Sequence, residues 1–296
     1  MIEGQLDLFL HSRAVVLANE IADCLIERNL PRAADCLVKL CAEAPEHPAL
    51  AGSDMLSRVL ATWPPSTPDP YATARIVRQL ESHVDSAASI VFGSRATQFM
   101  QSLWRELADS VRDHPYMPEV PEAFCAALYL RSGDAATALL AASAIADAGH
   151  DPAVLYWRAV SSYRAQGLHA CREPLFMLAW LAPQRLEASL AEIDDRQLRR
   201  DWRAFQTTCD WLDPADQASP AWFPAWYLVE HQAALAALDT IRAPPCRPAQ
   251  TFAAISRLLH LESQGLCPAQ IAARAELRRD DPEFFTLYMS RLSLLI

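Results

Sequence analysis

Eight cysteines and eight histidines are the side chains of this chain best suited to metal binding or nucleophilic attack. A metal site needs them clustered at ligand spacing, and a cysteine nucleophile needs a base beside it. Cys24, Cys36, Cys41, Cys125, Cys171, Cys209, Cys246 and Cys267 form no CxxC pair and no cysteine–histidine cluster. The histidines stand singly, with His47, His114 and His150 at turns and helix ends and His11, His83, His169, His231 and His260 within helical runs. The thiols therefore read as small core fillers, and neither a metal nor a cofactor is expected. Asp194–Asp195 and Asp280–Asp281 are adjacent pairs, whose side chains diverge by about 100° on a helix. Seven glycines leave no phosphate loop, no dinucleotide fingerprint and no nucleophile elbow. Nothing here has the pattern of an active site, so the expectation is a protein without catalytic activity.

Recognition is better represented. Trp211, Trp222, Phe223, Trp226 and Tyr227 stand between prolines and could line a pocket. The preferred reading is that they fill the wedge between poorly stacked helices. The formal charge of −10, from 36 acidic and 26 basic residues, disfavours nucleic acids and anionic membranes as direct partners. Arg196, Arg199, Arg200 and Arg203 are interrupted by Asp194, Asp195 and Asp201, as on a solvated helix face. No apolar run approaches a membrane span. Glu3 and Asp7 lie where a secretion signal would be positive, which makes the cytoplasm the expected compartment.

The elements that must position these residues are helices. At 52% apolar and 21% charged, with 21 prolines and almost no alternating run, the chain reads as all-α. Residues 12–29 place Val15, Val16, Ala18, Ala22, Leu25 and Ile26 on an expected buried stripe. Ala34, Leu37, Val38 and Cys41 continue it after Pro31, and a short helix over 48–61 completes an N-terminal unit, 1–62. The proline-rich run 63–70 cannot be helical. A helical hairpin over 71–115 follows, broken at Phe92-Gly93-Ser94, and then a repeat region, 121–296, with an irregular insert at 184–250. Helices are expected at 123–132, 135–148, 153–166 and 169–181. Asp-Pro at 69–70, 151–152, 213–214 and 281–282 reads as helix-starting punctuation.

One ruler recurs along the chain. Tyr129–Gly133 returns 34 residues later as Tyr163–Gly167, and sixteen residues separate turn from helix end in both hairpins. In this the pattern resembles the tetratricopeptide repeat, a helix–turn–helix, with the best copy from Pro152 to Gln184. Ala159 and Cys171 take its small-residue places and Pro183 closes the unit, while Gly167 arrives one residue late and Leu178 is large. The resemblance implies a superhelix of helical hairpins whose concave face binds a protein or extended peptide. It would set Glu122, Tyr129, Tyr156, Tyr163 and Arg164 near that face.

Two further partners are implied. Gln5-Leu6-Asp7-Leu8-Phe9 resembles the pentapeptide by which bacterial replication and repair proteins dock on the sliding clamp. That resemblance implies a replication or repair accessory held through those five residues. The apolar C-terminal run, Phe284, Phe285, Leu287, Tyr288, Met289, Leu292, Leu294, Leu295 and Ile296, either packs back on the body or mediates self-association.

Overall fold

The computed structural model describes residues 3–66, 68–146, 148–212, 219–238, 241–263 and 268–292, with the side chains of 3–12, 148, 236 and 237 excepted. The described residues are all-α with repeated paired packing of helices, and they divide into two compact units, 1–138 and 139–296.

The first unit opens with α1 (Glu3–Ile26) folded back on α2 (Leu30–Glu43), followed by α3 (Ala49–Ala61). Arg28 turns the chain between α1 and α2 with a positive φ of 60°, and the Asn29 side chain caps α2 by accepting from the Arg32 N–H at 3.3 Å. After the proline-rich run, α4 (Pro70–Gln79) passes through a π-helical turn at Leu80–Val84 into α5 (Asp85–Phe92). Asp69 caps α4 by accepting from the Ala72 N–H at 2.8 Å. α3 packs closely on α5 at Gly52, where a Cβ would stand 3.0 Å from Val91 Cγ2 and 3.3 Å from the Ala87 carbonyl. α6 (Ala96–Ser110) and α7 (Cys125–Arg131) pack as the next pair.

The division between units falls inside α8 (Ala135–Ser143), which ends five residues short of the 148 expected. In the second unit, α9 (Pro152–Gln166) and α10 (Leu168–Leu181) form the tightest pair. They turn at Gly167, whose φ of +88° is open to glycine at little cost. Leu155 near the start of α9 meets Leu178 and Ala182 at the end of α10, so the pair is antiparallel. Asp151 caps α9, accepting from the Ala153 N–H at 2.8 Å. The segment 184–250, expected as an irregular insert, carries the helices α11 (Leu186–Ile193), α12 (Arg196–Thr208), α13 (Phe223–Glu230) and α14 (Leu235–Leu238). α15 (Arg247–Ser263), α16 (Pro268–Asp280) and α17 (Pro282–Leu292) close the unit.

Two expectations need correction. The stripe of α1 is rotated: Ala14, Leu17, Ile21, Ala22, Cys24 and Leu25 are buried, whereas Val15, Val16 and Ile26 are 53%, 62% and 41% exposed. α2 does the same, burying Ala33, Cys36 and Leu40 and leaving Val38 71% exposed. The buried stripes combine the large Leu17, Ile21, Leu25 and Leu40 with small alanine and cysteine side chains that let the two backbones approach, so they offer both apolar area and close packing. The second correction concerns Asp281, whose carboxylate does not cap α17 as expected. It is buried, accepting from Arg247 Nε at 2.9 Å and from the Thr251 hydroxyl. Asp213-Pro214 lies outside the described residues.

Candidate functional site

A cleft of about 440 Å³ opens in the first unit between α3, the Trp63–Pro65 segment and the α4–π-turn helix. Its floor is apolar, with Leu80 and Val84 buried and Met55, Val59 and Ile76 partly so. The rim is polar: Arg58, Thr62, Gln79 and His83. Trp63 forms one wall, and its indole Nε1 is buried with no hydrogen-bond partner. An indole N–H can only donate, and the indoles of Trp180, Trp202 and Trp226 are likewise buried without an acceptor. The wider π turn sets Leu80 and Val84 into the floor while His83 stays at the solvent edge, a use of π-helical turns common at functional sites. Arg58 is held by Asp54 one turn back. The lining contains no thiol and no carboxylate. What the cleft offers is an apolar floor inside a polar rim, which is the chemistry of binding.

The five residues expected on a concave face are placed as follows in the two units. Tyr129 is 1% exposed in the first unit; its hydroxyl donates to Asp109 Oδ1 at 2.7 Å and accepts from Arg112 Nε at 3.0 Å. Burial opposes ionisation of Asp109, but the Tyr129 and Arg112 hydrogen bonds outweigh it and hold that carboxyl below the usual range. Glu122 is half-buried in a 3-10 turn before α7. In the second unit Tyr163 is half-buried and donates to Asp195 Oδ2 at 3.1 Å, and Arg164 pairs with Glu192. Tyr156 packs half-buried against the Leu155–Leu178–Ala182 cluster. Tyr163 and Arg164 thus reach the same α11–α12 corner, and each is engaged with its own chain there. Gln5, Leu6, Asp7, Leu8 and Phe9 fall in the first turns of α1; their side chains lie outside the described residues.

Three of the five aromatics are core, Trp222 is half-buried and Trp211 is 39% exposed. Phe223, Trp226 and Tyr227 are buried, and Phe176 meets Phe223, Tyr227 and Phe252 edge-on at 6.2, 5.4 and 6.2 Å. Trp222 stacks on Phe284 at 5.1 Å, and Trp211 meets the same ring edge-on. Phe284, Leu287 and Tyr288 of α17 are buried in this way, so the described part of the C-terminal run packs back on its own unit. Leu294, Leu295 and Ile296 lie outside the described residues. The arginines of α12 are exposed on its outer face, as expected.

Sequence reasoning missed one polar cluster. Asp201, 5% exposed, accepts from Gln197 Nε2 at 2.9 Å and lies 3.1 Å from His231 Nε2. The His231 ring packs on Tyr227 at 4.3 Å, and the Arg172 guanidinium lies 5.5 Å from the Tyr227 centroid. Asp201, Arg172 and the Tyr227–His231 pair come from three different helices, so no single local spacing announces the cluster. They brace α10, α12 and the end of α13. Burial pushes the Cys171 and Cys209 thiols up to about 12, which keeps both protonated.

Among the described residues no three histidine, cysteine, aspartate or glutamate side chains gather as metal ligands, and no helix is long and apolar enough to cross a membrane. No family model, no curated protein and no solved structure matches the chain.

Proposed function

We propose that this is a non-catalytic helical protein that binds a protein or peptide segment, and that the Trp63 cleft is where the segment enters. The observation carrying the proposal is the cleft itself, an apolar floor within a polar rim, walled by Trp63, whose indole Nε1 is buried without a partner. A buried donor without an acceptor costs about 1–3 kcal/mol, and a ligand carbonyl or carboxylate placed there recovers it. An apolar ligand side chain on Leu80 and Val84 supplies the remaining affinity. The paired helices support the wider reading of a tetratricopeptide-like interaction protein, in which stacked hairpins serve as a scaffold.

The test is selection of displayed random peptides on the full-length protein, followed by titration of the selected sequences. Trp63→Phe keeps the ring contact and removes the donor, and it is expected to weaken the selected peptides about tenfold with an unchanged thermal midpoint. Selected peptides that bind Trp63→Phe and Arg58→Ala as tightly as the parent would place recognition elsewhere.

A further inference from the structure

One surface of the second unit reverses the acidic balance of the chain. α12 buries Leu198, Asp201, Trp202 and Phe205. At about 100° per residue, Arg196, Arg199, Arg200 and Arg203 gather within about 100° of arc on the opposite side. All four are exposed. Arg199 pairs with Asp194 at 2.7 Å, whereas Arg196, Arg200 and Arg203 make no ion pair among the described residues. The helical rise sets these three about 6 Å and about 4.5 Å apart along the axis, a row of open guanidiniums about 10 Å long.

The helix gains nothing from this row. A helix favours acidic residues in its first turn and basic residues in its last. α12 has the reverse, with Arg196 and Arg199 in the first turn, no acidic residue there, and no basic residue in the last turn. Arginines three and four residues apart also repel one another along the face. Asp195 caps the helix by accepting from the Leu198 N–H at 2.9 Å, and Asp194 offsets Arg199 alone. Both terms oppose the helix, and an anion bound from outside the chain offsets both.

We propose that the outer face of α12 docks an acidic helical segment of a partner protein through Arg196, Arg200 and Arg203. Carboxylates at i, i+4 and i+7 of such a segment have the same spacing as the row, and each can take a guanidinium fork. A nucleic acid suits it less well. Its continuous phosphate backbone would run past a row of this length onto a chain whose net charge is −10. The rest of the exposed face carries Gln197, Ala204, Gln206 and Thr207, so no large apolar group contributes and the contact is sensitive to salt. The row shares no residue with the Trp63 cleft.

The experiment titrates the full-length protein with a synthetic helical peptide carrying glutamate at i, i+4 and i+7. Because the protein is itself acidic, general attraction works against this peptide, and binding reports the local row. Replacing Arg196, Arg200 and Arg203 together by glutamine is expected to weaken binding at least about tenfold. Circular dichroism should show the helix retained, and the thermal midpoint should stay level or rise, since the misplaced charges are gone. A second variant, Arg75→Gln with Arg242→Gln and Arg278→Gln, removes the same charge from exposed arginines elsewhere. It is expected to change the affinity by less than about threefold, the size of a general field effect. Trp63→Phe should leave the affinity unchanged, which separates the row from the cleft. Equal loss in the two triple variants overturns the proposal. So does tighter binding of a single-stranded oligonucleotide than of the peptide, with the oligonucleotide lost in the α12 variant, since the row would then serve phosphate.

Discussion

Replacing Tyr129 by phenylalanine tests whether this residue is a brace inside the first unit or a contact for a partner. The ring is 1% exposed and stays in place in the variant; only the hydroxyl is lost. That hydroxyl donates to the Asp109 carboxylate at 2.7 Å. A hydrogen bond to a charged group contributes about 1.5–3 kcal/mol when dry. Asp109 is 44% exposed, so water replaces part of what is lost, and the expected cost is about 1–2 kcal/mol. The solvated Arg112 contact adds nothing to that figure. For a chain of this size each kcal/mol moves the thermal midpoint by about 2–4 °C. The loss also has a pH signature. Because the Asp109 carboxyl is held below its usual range in the folded protein, its stabilisation is present above the ordinary carboxylate pKa of about 4 and fades as the pH falls through the folded value. Denaturant melts of parent and Tyr129→Phe should therefore differ at neutral pH and converge in acid. Equal stability at neutral pH, together with weakened peptide binding, would refute the brace and restore Tyr129 as a contact.

Other substitutions test separate parts of the packing. Phe176→Ala removes the ring that Phe223, Tyr227 and Phe252 surround, and calorimetry should show a loss of about 3–5 kcal/mol. Gly52→Ala is expected to destabilise by about 1 kcal/mol or more in urea melts, because the close approach to Val91 and the Ala87 carbonyl outweighs the helical preference for alanine. Asp151→Ala should cost about 1 kcal/mol by removing the α9 cap, and Asp151→Asn should restore most of it. Asp281→Ala takes one acceptor each from Thr251 and Arg247, which keep the Arg247 and Asp280 carbonyls, for an expected loss of about 1–2 kcal/mol; a neutral result would mean that water takes its place.

The sequence by itself determined that the chain is helical and where most helices begin and turn. Three- and four-residue apolar spacing, Asp69 and Asp151 before prolines, and Gly133 and Gly167 after helix ends act locally, through backbone geometry and first-turn amides. The tertiary structure decided which face of each helix is buried. In α1 the sequence offers two apolar stripes, and the one buried carries Leu17, Ile21 and Leu25 beside Ala14, Ala22 and Cys24, while Val15, Val16 and Ile26 are left outside. Periodicity weighs apolar area, whereas the choice of stripe depends on which small residues on two helices let the backbones meet. The Trp63 cleft was out of reach for the same reason. Its lining comes from 55–65 and 76–84, two stretches joined only when α3 and the α4–π-turn helix pack, and the unpaired indole donor exists only in that packed state. The Asp201–His231–Tyr227–Arg172 cluster likewise spans three helices, and burial, which no single stretch encodes, is what gives those side chains one another as partners.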